Sequence, residues 1–356
     1  MKNYGIFNLV AINRIQELFR MPQTSVRKEF SPYFYRYFSR FFENPKKFDG
    51  YVELCWYLSR VTKAKNASVL DLGCGFGMMA TLFGLFGAKE VIGYDLNTEK
   101  IDLFKKLLLY LDPKMGNVKP VLGDSGKIEL PGEYFDVVVT NETLSHVREM
   151  ECTIEEIYRV LKPRGRLLIR DGNNSLFFLG RMRRRRFWKK IERGPVDPSM
   201  FRSTDIPLPF MEVRQRMILE RFPQMDRKKI KLLSQETAGM YGNEILEAVE
   251  KFEKAGRLPV RPKFPYRNPV TGEFPEREIN PIRLKVMLSE KEFETAFIPY
   301  FYTTSFSNTE MMIKRLFYLM GRYLSIYHLF LTPGFAILGV KGSKPKKEGL
   351  HRNGNK

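Results

Sequence analysis

The stretch Val69-Leu70-Asp71-Leu72-Gly73-Cys74-Gly75-Phe76-Gly77 constrains this chain more than any other. Three apolar residues, Val69, Leu70 and Leu72, come after the polar lead-in 63–68, and three alternating glycines come after them. The pattern predicts a buried strand running into a tight turn that opens a helix over the largely apolar residues 78–86. Glycine serves such a turn in two ways: it tolerates positive φ, and it lets a ligand lie directly on backbone N–H groups. The spacing D-x-G-x-G-x-G departs from the G-x-G-x-x-G dinucleotide fingerprint. A glycine triplet alone specifies little, so the segments downstream of it decide.

Those segments carry further strand signals in order. Val91-Ile92-Gly93-Tyr94-Asp95 is apolar and ends in an acid. It lies roughly 20 residues past the first glycine, the interval at which such folds place a ribose-binding carboxylate. Val121-Leu122-Gly123-Asp124-Ser125 repeats the pattern, and Tyr134-Phe135-Asp136-Val137-Val138-Val139-Thr140-Asn141 forms a fourth strand. Arg159-Val160-Leu161-Lys162-Pro163-Arg164-Gly165 closes a helix over 150–161, and Arg166-Leu167-Leu168-Ile169 starts a fifth strand. Between the second and third strands, Asn97 or Thr98 caps a helix running to Leu111. Alternation of this kind predicts a parallel sheet with helices on both faces and ligands at the carboxyl ends of its strands.

This ordered series resembles the class I S-adenosylmethionine (SAM)-dependent methyltransferases over residues 67–174, with a weaker echo near the C-terminus. The resemblance implies an α/β fold: a Rossmann-like, seven-stranded, mostly parallel sheet that ends in an antiparallel hairpin. Phe335-Ala336-Ile337-Leu338-Gly339-Val340 fits the last strand. It also implies SAM as the cofactor and distributes roles among residues. Gly73, Cys74, Gly75 and Gly77 form the turn under the amino-acid end of SAM. Asp95, with Leu96 beside it, takes the ribose hydroxyls, and Asp124 with Ser125 reads the adenine amino group. Asp71 orders the loop or reaches the methionine amine through water, and Asn141 completes the set at the end of the fourth strand.

The methyl acceptor would sit above Asn141-Glu142-Thr143-Leu144-Ser145-His146-Val147. This segment resembles the E-x-L-E-H-V signature of small-molecule O-methyltransferases, with Ser145 in place of the commoner glutamate. Glu142 and His146 are the candidate catalytic residues. A hydroxyl acceptor must lose its proton, and imidazole is the natural base at neutral pH. The plainer alternative is a histidine that holds the turn. Glu142, His146 and Glu149 make only a partial metal set with no second histidine nearby, so no metal is expected. The segment lacks the Asn/Asp-Pro-Pro-aromatic motif by which methyltransferases of adenine or cytosine amines resemble one another. That favours oxygen over a base amine.

Charge bears on partners. Sixty basic residues against forty acidic give a net charge of +20, which suits an anionic partner: nucleic acid, an acidic membrane surface or a phosphorylated substrate. The densest run is Arg181-Met182-Arg183-Arg184-Arg185-Arg186-Phe187-Trp188-Lys189-Lys190. It reads as a peripheral contact with anionic membrane or phosphate groups, as a nucleic-acid contact, or as a solvated helix face. No RNA-binding module is recognisable, so methyl transfer to a small-molecule or lipid/saccharide acceptor is the stronger expectation, and an RNA methyltransferase not of base-amine type, or a non-catalytic SAM-fold protein that binds membrane or RNA, the weaker. The three cysteines, Cys55, Cys74 and Cys152, form no C-x-x-C pair. With no secretory signal visible, the expected location is cytoplasmic, with peripheral membrane contact left open.

The rest of the chain organises around the core. Residues 1–62 form a helical, aromatic cap: an amphipathic helix over 1–20 with Ile6, Phe7, Val10, Ile15, Leu18 and Phe19 apolar, an aromatic cluster over 30–42, and a helix over 50–61. The aromatic cluster suits a packed cap, a lid, a stacking surface or an interfacial anchor. Residues 63–174 are the SAM-binding core. Residues 175–288 are an insertion between the fifth and sixth strands, a substrate-binding region. It holds helices over 211–221, 226–234 and 242–255, and a proline-rich loop from Leu258 to Pro275 that includes Pro259, Arg261, Phe264 and Pro265. Residues 289–342 complete the core, with a helix over 289–297, a strand over 299–306 and a helix over 308–326. Residues 343–356 are a basic tail.

Overall fold

A computed structural model of the chain describes residues 6–111, 115–147, 149–195, 208–258, 260, 262, 266–272 and 274–343. The basic tail beyond 343 and Pro259, Arg261, Phe264 and Pro265 of the proline-rich loop lie outside the described residues, as do the side chains of Ile6 and Phe7.

Seven strands form one sheet in the order β3-β2-β1-β4-β5-β7-β6. They are β1 (Ser68–Leu72), β2 (Glu90–Asp95), β3 (Val118–Leu122), β4 (Phe135–Asn141), β5 (Leu161–Gly172), β6 (Phe293–Ile298) and β7 (Gly334–Lys341). β1 to β5 pair in parallel. β7 runs antiparallel to both neighbours, with Leu168 opposite Leu338 and Ala296 opposite Leu338 on its other side. The chain order reverses beside β1, where β2 lies on one side and β4 on the other. Such a switch point leaves a crevice at the strands' carboxyl ends. β1 is buried along its whole length, Asp71 included, as a central parallel strand covered on both faces is.

Two cores flank the sheet. One joins α5 (Lys46–Val61), α6 (Met78–Leu85) and α7 (Thr98–Leu111) to the N-terminal segment. The other packs α8 (Met150–Val160) and a later helix, Pro281–Glu290, against the opposite face. The N-terminal segment is continuous with the first core: Ile15, Leu18, Phe19, Phe34 and Phe48 are fully or almost fully buried beside Phe83 and Phe104. Its aromatics grip the glycine turn through Phe76, whose ring lies 4.9 Å from Tyr37, 5.3 Å from Phe34 and 5.7 Å from Phe38. Each such pair contributes about 0.5–1.5 kcal/mol beyond area burial. The aromatic cluster is therefore a packed cap that also roofs the loop.

Several expectations need correction. Val10 is exposed; on the helix Ile6–Arg20 the inward positions include Ala11, Ile12, Ile15, Leu18 and Phe19. The helix expected over 289–297 is displaced: Pro281–Glu290 is helical, with Asn280 accepting from the Ile282 and Arg283 amides, and 293–298 is the edge strand β6. Residues 299–306, expected as a strand, form no regular element; Tyr300 and Thr303 bury their side chains there. The helix expected over 308–326 runs from Thr309 to Tyr323, capped by Asn308, and a 3-10 turn comes next at Ser325–Phe330. β5 begins at Leu161, without a break after α8.

The insertion carries its own small core of Ile218, Ile230, Leu233, Ile245 and Val249. Fully buried Arg214 bonds Glu192 and the Ser234 carbonyl, tying the insertion's helices to α9 (Phe178–Arg193). A strap, residues 274–279, then lies over the loop after β4. The Arg277 amide donates to the Ser145 carbonyl at 2.8 Å, and Asn174 holds the Arg277 carbonyl and the Ile279 amide.

Candidate active site

The glycine turn is shaped by its backbone. Gly73, Gly75 and Gly77 have φ of +75°, +57° and +72°. A Cβ at Gly73 would stand 2.2 Å from Thr143, and one at Gly77 would stand 2.1 Å from Phe104. At Gly75 the nearest atom would be the Tyr37 hydroxyl at 3.7 Å, so the face above Gly75 is open. Asp95 fixes the turn from β2: one carboxylate oxygen accepts from the Gly75 amide at 2.8 Å, the other from the Asn97 amide at 2.9 Å. Each oxygen keeps a second lone pair for a ligand. Asn97 caps α7 through the Lys100 amide.

Asp71 is only 3% exposed, and its Oδ2 meets no hydrogen-bond partner. Burial pushes its pKa up to about 7; the Ala80 amide pulls down and neighbouring Asp95 pushes up. Nearby opens a cavity of about 360 Å³. Asp71, Gly73, Cys74, Asn141 and Glu142 border it, so the structure brings these residues, all singled out from sequence, around one space. Tyr37, Phe38, Arg40 and Tyr51 enclose it from the cap, and Tyr300, Phe301, Glu310 and Lys314 from the C-terminal part.

Glu142 sits at the focus of a tight polar cluster. Its Oε1 accepts from the Tyr300 hydroxyl at 2.9 Å and from Arg170 Nη1 at 3.2 Å. Arg170 Nη1 also bonds Asn141 at 2.7 Å, its Nε bonds the Tyr300 carbonyl, and its guanidinium lies 3.7 Å over the Tyr300 ring. Burial alone would raise the Glu142 pKa, but Arg170 and the Tyr300 hydroxyl outweigh it and the group falls below its ordinary value. Burial, aided by Glu142, raises the Tyr300 phenol well above 10 despite Arg170. Glu142 is therefore an ionised acceptor at neutral pH, and Tyr300 a neutral donor.

The remaining candidates lie elsewhere. His146 does not border the cavity; its Nδ1 stands 3.0 Å from the Phe274 carbonyl on the strap, and burial lowers its pKa. An imidazole with Nδ1–H donating to that carbonyl clasps the insertion, and it stands off the cavity where the sequence places the candidate base. Leu96 and Asp124 are on the surface at the far end of the crevice, where Asp124 accepts from the Gly126 amide. Ser125 Oγ faces Thr153 at 3.5 Å. Sequence reasoning does not find Arg170 and Tyr300. The available signal is Arg170-Asp171 ending the apolar Leu167-Leu168-Ile169: two charges at the carboxyl end of a central strand. Both are buried, and burial raises Asp171 to about 6.

The basic run lies on α9 and divides in two. Arg184 turns inward onto Glu276, whose carbonyl takes the Trp188 indole N–H at 2.8 Å. Burial raises Glu276 to about 7 against the pull of Arg184. Arg183, Arg185, Arg186, Lys189 and Lys190 are exposed, and among the described residues no carboxylate pairs with them.

Comparison with known proteins bears on the core. Residues 63–197 match the family described as "Methyltransferase domain". A sterol 24-C-methyltransferase of Neurospora crassa is 36% identical over 28% of this chain and 26% of its own length. The ubiquinone/menaquinone biosynthesis C-methyltransferase UbiE of Vibrio vulnificus is 32% identical over 31% of this chain and 42% of its own. The mitochondrial ubiquinone biosynthesis O-methyltransferase of Mus musculus is 34% identical over 30% of this chain and 29% of its own. A solved SAM-dependent methyltransferase of Mesorhizobium loti aligns at 23% identity over 36% of this chain and 57% of that one, with a TM-score of 0.31. The chain thus spans less than half the length of these curated relatives. Residues 63–197 are thus similar to a methyltransferase domain, and the seven-stranded sheet around them has the mostly parallel order with an antiparallel C-terminal pair that the sequence resemblance implies.

Proposed function

We propose that this chain transfers a methyl group from SAM to oxygen on a small-molecule acceptor of lipid or saccharide type. One observation carries the reading: a single cavity joins the glycine turn and Asp71 to Glu142. The residues present fit the cofactor. The open face above Gly75 accommodates its amino-acid end, the unused Asp71 oxygen suits its ammonium group, and Asp95 retains lone pairs for its ribose hydroxyls. When bound, SAM supplies an electrophilic methyl on a sulfonium.

Glu142 is placed to orient an acceptor hydroxyl and to take its proton. Arg170 and Tyr300 fix the carboxylate and keep it ionised. Positioning supplies much of the rate in such a displacement, and a rigid base adds a further factor. The aromatic walls from Tyr37, Phe38, Tyr300 and Phe301 suit an acceptor with apolar or ring character. The relatives named for sterols and quinones support a lipid-like acceptor and leave oxygen and carbon both represented. The exposed half of the α9 run is the proposed contact for phosphate groups of an anionic surface.

The test is methyl transfer from labelled SAM into fractionated cell extract. Label in the lipid or saccharide pool, lost on Glu142→Gln, supports the reading. Label confined to RNA overturns it.

A further inference from the structure

The helix Thr309–Tyr323 and the 3-10 turn Ser325–Phe330 break the usual rule for a surface element. Met311, Tyr318 and Gly321 form the inward face, against Gly50 and Pro299. The outward face should then be polar. Instead Met312, Leu316, Leu319 and Tyr323 recur along it at helical spacing, with Leu316 55% and Tyr323 72% exposed. The 3-10 turn extends this surface with Ile326, Tyr327 at 71% exposure, and Phe330 and Leu331. Isolated exposed apolar residues are ordinary, but a contiguous set of this size marks a docking surface.

The surface continues onto α9. Asn173, at the end of β5, bonds the Leu329 and Thr332 carbonyls, which holds the start of α9 beside the turn. The first turn of α9 presents Phe178, Leu179 and Met182 outward, and the five exposed cations come directly after. An apolar face with tyrosines on it, adjoined by exposed lysine and arginine on a chain of net charge +20, is complementary to an anionic lipid interface. No helix among the described residues is long and apolar enough to cross a membrane, so the contact lies in the interface plane.

We propose that this face, the helix Thr309–Tyr323 with its 3-10 turn and the start of α9, seats the protein on an anionic bilayer. The cavity opens beside it: Glu310 and Lys314 of the same helix and Pro333 just past the turn all border the cavity, and Phe317 stacks on the lining residue Phe301 at 5.6 Å. A lipid-phase acceptor thus reaches Glu142 from the bilayer. That last step rests on the methyltransferase reading; the seating does not.

The experiment is sedimentation of the full chain with mixed phosphatidylcholine–phosphatidylglycerol vesicles, against pure phosphatidylcholine, without SAM. Wild type is expected to partition to the anionic vesicles. Combined Leu316→Ser, Leu319→Ser and Tyr323→Ser should weaken partitioning at least about tenfold, since each removes apolar surface from the interface. These residues are exposed and do not border the cavity, so SAM binding and thermal stability in solution should stay unchanged. Combined Arg183→Ser, Arg186→Ser and Lys190→Ser should remove the salt-sensitive part of the binding. Wild type that ignores vesicles, or a Leu/Tyr triple variant that binds them normally, overturns the proposal. So does either of two other outcomes without vesicle binding. One is a dimer dissolved by the Leu/Tyr changes, which assigns the face to a second copy. The other is RNA retention lost only with the basic changes, which assigns α9 to nucleic acid.

Discussion

The two ends of the crevice are built in different ways. The cofactor end is made of backbone and drawn from one short stretch: the turn after β1 and the acid closing β2, joined by amide–carboxylate bonds from Gly75 and Asn97 to Asp95. The proposed acceptor end is made of side chains drawn from across the chain. Tyr37 comes from the cap, Glu142 from the end of β4, Arg170 from β5, and Tyr300 from the irregular segment after β6. A backbone-built site needs a few glycines and one acid at fixed spacing, and it changes little with the identity of the ligand's other half. A side-chain-built site changes with every substitution. On the proposed reading the cofactor meets a locally built cradle, and the acceptor meets the part of the molecule that is assembled over long range.

Substitution at either end sharpens the contrast. The largest effect is expected from Glu142→Gln. It keeps the size of the side chain and its place beside Tyr300 and Arg170, but removes the proton acceptor. A loss of about 10²–10⁴-fold in kcat is expected, with SAM affinity unchanged by calorimetry. A parallel loss of SAM binding would show that the two ends are one site. Asp95→Ala should do the reverse. Losing the anchor of Gly75 and Asn97 together with the proposed ribose contact should weaken SAM by about 10–100-fold, on the order of 1–3 kcal/mol. The kcat at saturating SAM should fall far less.

Asp71→Asn comes next, because Asp71 borders both ends. Its folded-state pKa of about 7 lies above the unfolded value, so the native state holds the extra proton between about pH 4 and pH 7. Stability from this group is therefore present at low pH and is lost as pH rises through about 7. The asparagine variant should gain several degrees in Tm at pH 8, less at pH 5 and nothing at about pH 4. SAM affinity in the wild type should climb between pH 5.5 and 7 as Asp71 ionises, and in the variant it should be weaker and flat over that range. A variant with unchanged Tm at pH 8 would mean that Asp71 ionises freely in the fold.

The same contrast explains what is legible in the sequence. The glycine turn, the first five strands and the acid ending β2 declare themselves through local spacing, because the cradle is local. Glu142 is within reach for the same reason, standing one residue past β4. Arg170 and Tyr300 are not, because no local pattern says that two residues 130 apart will meet over one carboxylate. β6 reads as helix although Phe293, Thr295 and Phe297 alternate with Glu294 and Ala296. At a sheet edge that period of two is diluted by exposure, and the preceding Ser289-Glu290-Lys291-Glu292 reads equally as a helix start. The outward face of Thr309–Tyr323 misleads in another way: composition shows an apolar, basic helix, and only the fold shows which side is already covered.

The smallest predicted effect tests the residue whose chemistry is most suggestive. His146 stands after β4 as a catalytic base would, yet its Nδ1 is engaged by the Phe274 carbonyl and it does not border the cavity. Its lowered pKa places its stabilising contribution above about pH 6.5, where imidazole is neutral, and that contribution is lost as pH falls and the unfolded chain takes up the proton. His146→Ala should therefore leave kcat within a few-fold of wild type. It should instead expose the strap over 274–279 to protease at neutral pH, because the donor to the Phe274 carbonyl is gone. His146→Gln, which can still donate to the Phe274 carbonyl, should restore protease resistance. A kcat loss of about 10²-fold or more in both variants, with the strap intact, would return the histidine to the chemistry and place the acceptor on the far side of Glu142. A loss in the alanine variant alone would mean that the insertion shapes the acceptor site through this one hydrogen bond.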